Sequence, residues 1–423
     1  MAMSAETERV IIIGGGLAGV TAFYELAARG RDVVLLDAAD DLAQGASFAN
    51  GAVLHPSLPD PWNSPGIAWP LLRSLFDPSA PMKLHLSQIP SLLGWGRRFL
   101  RNADAARHLA ITEANYRLAD YSTRQTDALT QKLNLQYENS APGTMKLLRS
   151  ETDRAQALAL AEKLAGAGLV FEELDRAALL AREPLLAQAE SVVGALHFPN
   201  DRIGNARLFC LALAEAAQKL GGTVRLSSPV TQLSVAQGRV VGVRLKNEEL
   251  RGLVVLAAGA DAARLVKPLR LALPIRPAKG YSLTLPAGDA LRPIHPLVDP
   301  VLHIAVTPLP GRVRILGMAE FAGFDRRIDK RRGALLRRFF TQLMPEAAAQ
   351  LDWTGGDLWA GLRPMSADGR PFIGASPIDG LWLNCGHGHL GWTMAVGSAK
   401  LLADAMMGQK PEIDAAPFSA ARR

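Results

Sequence analysis

The sequence predicts an α/β fold: a Rossmann-like dinucleotide-binding domain, split in sequence, with an α+β insertion on an antiparallel sheet. Three observations carry this. Val10 to Asp37 reads as strand, glycine turn, helix, strand and acid. Leu253 to Gly259, far downstream, is a second fully apolar strand ending in small residues, so the first sheet is resumed after an insertion. Pro277–Leu285, Val301–Thr307 and Val313–Gly317 alternate as antiparallel strands do.

In the first unit, Val10 to Ile13 has no polar alternation and suits a buried strand. Gly14-x-Gly16-x-x-Gly19 follows, then a helix over Val20 to Ala28, with Gly30 where a C-cap falls. Val33 to Leu36 is the second strand, ended by Asp37. Gly14 permits the tight turn, Gly16 lets backbone N–H groups approach a pyrophosphate, and Gly19 lets helix and strand pack closely. Asp37 can accept both ribose hydroxyls of an adenosine. No Arg follows it, so a 2′-phosphate would be repelled. The motif does not choose between NAD and FAD.

Residues 44–57, QGASFANGAVLHPS, read as a close-approach loop. Residues 59–81 hold six prolines and no period, a long excursion from the first unit. Leu84 to Asn102 is partly helical and rich in Trp and Arg. Ala105 to Leu135 is a long helix, Gly143 to Leu148 a strand, and Glu151 to Leu164 and Leu208 to Leu220 helices. Strands are expected at Val224–Leu226, Val230–Val235 and Val240–Leu245, the last two joined at Gly238. Phe324 to Phe340 is a basic helical stretch, read first as a solvated face. Leu381 to Asn384 is a strand, Gly386 to Gly391 a glycine- and histidine-rich turn, and Thr393 to Met407 an apolar helix.

Composition narrows the classes. Hydrophobic residues at 48% and charged residues at 21% are globular values. No apolar run is long enough to cross a bilayer, and the polar first nine residues show no secretory signal. Cys210 and Cys385 are far apart and lack zinc spacing, so neither a disulfide scaffold nor a metal is expected. The net charge of +7 comes with no nucleic-acid-binding motif. Solubility is the first reading of that charge, and no nucleic-acid partner is expected.

Six stretches together resemble the family of FAD-dependent D-amino acid dehydrogenases, kin of glycine and sarcosine oxidases. They are SFANG (Ser47–Gly51), FPND (Phe198–Asp201), KGYSLTLP (Lys279–Pro286), GMAEFAGF (Gly317–Phe324), GLRPMSADGRPFIG (Gly361–Gly374) and LWLNCGHGHLGWTMAVGS (Leu381–Ser398). They span nearly the whole chain in the family's order. The resemblance implies FAD, expected to be held non-covalently since no His or Cys stands at an obvious attachment position. It implies oxidative deamination of a D-amino acid to a 2-oxo acid and ammonia, with electrons passed to a respiratory acceptor such as quinone. It also implies a division into FAD-binding parts at 1–60, 197–268 and 356–423, a mainly helical substrate segment at 61–196 and the substrate sheet at 269–355. The FAD-contacting positions it implies are Gly14, Gly16, Leu17, Ala18, Gly19, Asp37 and Ala38, then Gly45, Ser47, Asn50, Gly51 and Val53. They continue through Val230, Ala258 and Gly259, Arg363, and Gly388, His389, Leu390, Gly391, Trp392 and Thr393.

The same residues have a physical reading. Small side chains from Ser47 to Leu54 let backbone amides face the pyrophosphate and ring edge. Gly386–Thr393 precedes a helix whose N-terminus can face the flavin's N1–C2=O edge, where reduced flavin is negative. His387 and His389 are either donors to that edge or turn residues bonded to backbone. Arg363, in an apolar-flanked GLRP, has the bidentate fork that an amino-acid carboxylate requires, against the alternative of a structural ion pair. Tyr281 and His303, projecting from antiparallel strands, could complete the pocket. No nucleophile–base arrangement is suggested and none is needed: from a neutral amine the Cα hydrogen leaves as hydride to flavin N5.

The rival readings are an oxidase of the same fold using O2, an NAD-dependent dehydrogenase and a basic nucleic-acid-binding protein, and within the dehydrogenase reading a cyclic D-imino acid is an alternative substrate. Ala68 to Asn102 combines Trp69, Leu71, Leu72, Leu75, Phe76, Leu92, Leu93, Trp95 and Phe99 with Arg73, Arg97, Arg98 and Arg101. That pairing suits either a peripheral contact on the inner face of the plasma membrane, joined by the Arg326–Arg338 stretch, or an inter-domain helix pair. A cytoplasmic location is expected.

Overall fold

The computed structural model describes residues 8–422 apart from 76, 78 and 79. The opening residues and Phe76 therefore lie outside the described residues. Strand β1 (Val10–Ile13), helix α1 (Leu17–Ala28) and strand β2 (Val33–Leu36) form the expected unit. Gly30 follows the helix at φ +78, and Gly30 N–H and Arg31 N–H donate to the carbonyls of Ala27 and Leu26. A left-handed residue there satisfies the last carbonyls of the helix.

The first sheet has six strands in the order Phe372–Ala375, Leu381–Cys385, Leu253–Leu256, β1, β2, Thr223–Arg225. All neighbours are parallel except the first pair. Val10 stands opposite both Leu253 and Val33, so the sequence-distant strand lies directly beside the first. The unbroken apolar strands have a simple cause. Val10 and Ile12 pack beneath helices, with Phe23 and Leu26 of α1, Phe209 and Leu402. Ile11 and Ile13 pack on the other side, with Val240 and Val243 of a small three-stranded sheet. A strand covered on both faces has no solvent side to make polar.

The second sheet has nine strands. Its path runs Asp357–Ser366, Ile275–Pro286, Arg312–Phe321, Ile304–Leu309, Leu297–Asp299, Thr144–Leu148, Gly194–Phe198, Glu172–Asp175, and Met82–Leu84 joins Arg312–Phe321. It is mixed rather than wholly antiparallel, since Met82–Leu84 and the junction of Leu297 with Met145 pair parallel. One face packs on the Lys330–Leu343 helix through Tyr281, Ile315, Leu336 and Phe340. The Ala105–Leu133 helix, assigned from the sequence to the substrate half, inserts Leu118 and Ala119 into the core of the first sheet beside Leu402.

Several sequence expectations shift. The Val301–Thr307 strand begins only at Ile304, because the Asp299 carboxylate accepts from the N–H groups of Val301 (3.0 Å) and Leu302 (2.9 Å) and turns the chain. The loop at 44–57 contains the two-residue strand Val53–Leu54, paired to Arg202–Ile203. The proline-rich excursion contains a helix, Ala68–Ser74, with Pro70 in the first turn, where no intrahelical donor is lost. The Asp357–Ser366 strand was not anticipated; it is an edge strand, where Pro364 is tolerated. The basic stretch is helical only from Lys330, and Arg332 is not on a solvated face but buried against Glu320.

Candidate active site

Between the two sheets lies a cavity of about 1140 Å³. That exceeds the roughly 300–1,000 Å³ of sites for one drug-sized ligand. It suits a dinucleotide together with a small substrate.

At one end the glycine turn forms the wall. Gly14 has φ +112, and a Cβ there would stand 2.6 Å from the Ala257 carbonyl oxygen. A Cβ on Gly19 would stand 1.7 Å from the Gly14 carbonyl oxygen, so Gly19 fixes the close approach of α1 to the glycine turn; it is buried and does not itself line the cavity. Gly16 caps α1 with no side chain of its own, and Ser47 Oγ accepts from Leu17 N–H at 3.1 Å. The helix N-terminus thus opens on the cavity. The Asp37 carboxylate accepts from Gly15 N–H on one oxygen and from Ala39 N–H (2.8 Å) on the other. It is pre-oriented on the cavity wall beside Ala38.

Leu17, Ala18, Gly45, Ser47, Asn50, Gly51, Val53, Val230, Ala258, Gly259, Gly388, His389, Gly391 and Trp392 also line the cavity. Leu390 and Thr393 do not. Leu390 is buried in the core under the helices, and Thr393 Oγ1 accepts from His55 N–H at 3.1 Å. The helix expected from Thr393 begins at Ala395, after a short 3₁₀ turn at Gly388–Leu390.

Arg363 lies at the other end. Its Nη1 donates to the Met318 carbonyl at 3.0 Å, and its Cζ sits 5.5 Å from the Trp62 ring centroid. The guanidinium also lies against the Cα of Gly280. Among the described residues no carboxylate pairs with it, so the structural ion pair is not formed, and burial pushes its pKa down to about 10. A guanidinium without a carboxylate partner, packed against a glycine and an indole in a low-dielectric cavity, has donors that suit a planar anion.

Tyr281 and His303 differ from expectation. Strand alternation turns Gly280 and Ser282 to the cavity side and Lys279 and Tyr281 toward the Lys330–Leu343 helix. Tyr281 contributes to the wall, but its hydroxyl donates to Glu320 at 3.2 Å, inside a buried group with Lys279 and Arg332. Burial and Glu320 push its pKa up. That hydroxyl is committed away from the cavity. His303 is not on a strand; it stands in the preceding turn at φ +52, exposed at the cavity rim.

The late histidines are held neutral by burial. His387 shares a 3.1 Å hydrogen bond with Ser398 Oγ, and its pKa falls to about 4. His389 stacks on Trp62 (5.4 Å, 20°), with its pKa lowered to about 3 by burial and then by His55. Trp62 therefore has the guanidinium of Arg363 and the imidazole of His389 as ring neighbours. The sequence reading missed Trp62, His55 and Gly280. Trp62 sits in a proline-rich segment with no period. Gly280 carried a signal, since a glycine inside a strand marks a close approach.

A glycine turn and carboxylate suited to a dinucleotide at one end of a single cavity, with a guanidinium lacking a carboxylate partner at the other, fit a dinucleotide-dependent oxidoreductase. The family comparison makes the class specific. The chain belongs to the family DAO, FAD dependent oxidoreductase, whose profile matches residues 9–405. It is 37% identical to a D-amino acid dehydrogenase of Rhizobium johnstonii over 417 residues, 98% of this chain and 99% of the relative. Two solved structures share the fold. Glycine oxidase from Geobacillus kaustophilus matches at TM-score 0.77 and 24% identity, covering 99% of this chain and 100% of that one. L-Proline dehydrogenase from P. horikoshii matches at 0.79 and 17%, covering 98% and 97%. The cofactor is FAD, and the NAD reading falls away. The helix N-terminus at Gly16–Ala18, the Asp37 carboxylate on the cavity wall and the volume of the cavity all fit it.

Proposed function

We propose that this enzyme is an FAD-dependent D-amino acid dehydrogenase that converts D-amino acids to 2-oxo acids and ammonia in their breakdown. The observation that carries the reading is the unpaired Arg363 fork in the dinucleotide cavity. The name of the R. johnstonii relative supplies the D-amino acid.

Arg363 holds the substrate carboxylate bidentately, and Trp62 and Gly280 keep the fork in one plane. Bound FAD supplies acceptance of the Cα hydrogen and its electron pair. Gly14, Gly16, Leu17, Ala18, Asp37, Ala38, Gly45 and Ser47 hold the adenosine and pyrophosphate, and Asn50, Gly51 and Val53 run under the flavin ring. Val230, Ala258, Gly259, Gly388, His389, Gly391 and Trp392 complete the cofactor's walls. Neutral His55 and His389 keep added positive charge away from the substrate amine, which must be uncharged to lose hydride. His303 stands where side chains enter. The imine product then hydrolyses in water. Residues 1–60, 197–268 and 356–423 serve the cofactor, and 61–196 and 269–355 serve the substrate.

The electron acceptor in this reading is a respiratory quinone, reached from the cytoplasmic face of the membrane. No helix among the described residues is long and apolar enough to cross a bilayer. The support is a surface on the Ile89–Arg101 helix and its neighbours. Trp95 and Phe99 pack inward, whereas Leu93 is 67% exposed and Trp69 63%, with Leu72, Leu86 and Leu100 also exposed. Arg97, Arg98 and Arg101 stand exposed beside them. Apolar side chains ringed by arginine are what an anionic bilayer surface receives.

Purified enzyme assayed against D- and L-amino acids and D-proline, with an artificial dye and with oxygen alone, tests the whole reading. Dye-linked turnover of linear D-amino acids is expected. Preference for D-proline makes it a cyclic imino-acid dehydrogenase, full turnover with oxygen alone makes it an oxidase, and activity on L-amino acids only overturns the proposal.

A further inference from the structure

Three successive carbonyls of the loop before Val53 are each held by a side chain from the second sheet. Ser282 Oγ donates to Ala49 O at 2.7 Å, Arg314 Nη1 to Asn50 O at 3.0 Å, and Thr307 Oγ1 to Gly51 O at 2.8 Å. The donors come from three adjacent strands. Arg314 pairs in register with Thr284 on one side and Thr307 on the other, while Ser282 stands opposite Leu316. The clamped residues, Ala49, Asn50 and Gly51, all line the cavity. Two of the clamps are neutral hydroxyls. The middle one is a cation.

Arg314 is 6% exposed, and its Nε donates to Thr284 Oγ1 at 3.0 Å. Glu138, the carboxylate that acts on it through space, instead pairs with Arg312 at 2.5 Å and accepts from Asn205 at 2.9 Å. Arg312 lies close enough to add repulsion, and burial with that repulsion pushes the Arg314 pKa down to about 10. Burying a guanidinium with only neutral acceptors is costly. A threonine or serine would clamp the carbonyl without that cost, as Thr307 and Ser282 do. The charge therefore has a use beyond holding the loop.

We propose that Arg314 is a positioning residue for the cofactor, whose buried charge beneath Asn50 favours the electron-rich reduced form of the bound FAD. The proposal rests on the cavity being the FAD site. The charge stands under the loop, and Arg314 does not line the cavity. It acts at a distance through a medium that screens poorly. Ser282 and Thr307 supply the geometry of the loop, and Arg314 supplies geometry and potential together.

The test is the reduction potential of the bound flavin, measured by dye-equilibrated titration of the holoenzyme, alongside FAD dissociation by fluorescence. Arg314→Gln keeps a donor for Asn50 and removes the charge. It should lower the potential by at least about 30 mV, a tenfold change for a two-electron couple. Arg314→Lys should retain most of the wild-type potential. Thr307→Val and Ser282→Ala should weaken FAD binding while leaving the potential of the loaded fraction near wild type. Thr284→Asp sets a carboxylate beside Nε and cancels the charge without removing Arg314, so it serves if Arg314→Gln does not fold. A lowered potential in either charge-cancelling variant supports the inference. An unchanged potential in a folded, FAD-loaded variant overturns it. A wild-type protein that binds no FAD would instead overturn the reading of the cavity.

Discussion

Gly280 and Arg363 are packed so closely that a Cβ on Gly280 would stand 2.0 Å from the Arg363 Nη1. Ala278 pairs with Arg363 across the ladder, and Gly280 with Gly361, so the side chain reaches two residues along its partner strand. The absent Cβ is what lets the guanidinium lie flat.

Gly280→Ala should therefore push the fork out of plane. A displacement of this size in a positioning group costs about 100-fold in rate. We expect a raised KM for the amino acid with an unchanged flavin spectrum. Wild-type kinetics in the alanine variant would show that the fork does not need this seat.

Arg363→Lys and Arg363→Ala remove the bidentate contact. Loss of one partner in a desolvated charged pair costs about 2–5 kcal/mol, or about 30-fold to several-thousand-fold in kcat/KM. FAD content should be retained. Near-normal steady-state kinetics in an FAD-loaded variant would take Arg363 out of the site.

Asp37→Ala removes the acceptor proposed for the ribose and frees the N–H groups of Gly15 and Ala39. FAD should bind more weakly, by equilibrium dialysis, while the ranking of substrates stays fixed. An unaltered FAD affinity would reduce Asp37 to a residue that merely ties the turn.

Buried histidines set an acid limit. His55 and His387 titrate at about 4 and His389 at about 3 in the folded chain. In the unfolded chain each returns to about 6.5. Between those values the unfolded chain binds more protons, so stability rises with pH from about 4 to 6.5 and is lost as pH falls through that window. Denaturant titrations across this range should show it. His387→Gln should reduce the slope by about one proton's worth, about 1.4 kcal/mol per pH unit. An identical slope in that variant would mean His387 is not buried neutral.

Membrane contact is checked by sedimentation with anionic vesicles. Wild type should pellet at low ionic strength and be released by salt, since exposed charges are screened. Replacing Arg97, Arg98 and Arg101 with Gln should reduce pelleting and spare dye-linked turnover. Equal pelleting of the variant would assign the Leu93 surface another partner.

The sequence alone determined the βαβ unit and the presence of a later buried strand, and it singled out Arg363, which the structure buries without a carboxylate partner among the described residues. These are local properties. A strand buried on both faces is apolar throughout, a glycine turn has fixed spacing, and an arginine among apolar neighbours is conspicuous. The tertiary structure decided what distant segments do to one another. It set both Arg363 and His389 against the Trp62 ring, turned the Tyr281 hydroxyl toward Glu320, and brought Arg314 beneath Asn50. It also moved His303 from a strand to a rim turn, because Asp299 captures the N–H groups that follow it. Such contacts join residues far apart in the chain, and no periodicity records them. Side-chain direction depends on which sheet face meets which neighbour, and that is fixed only when the two sheets close around the cavity.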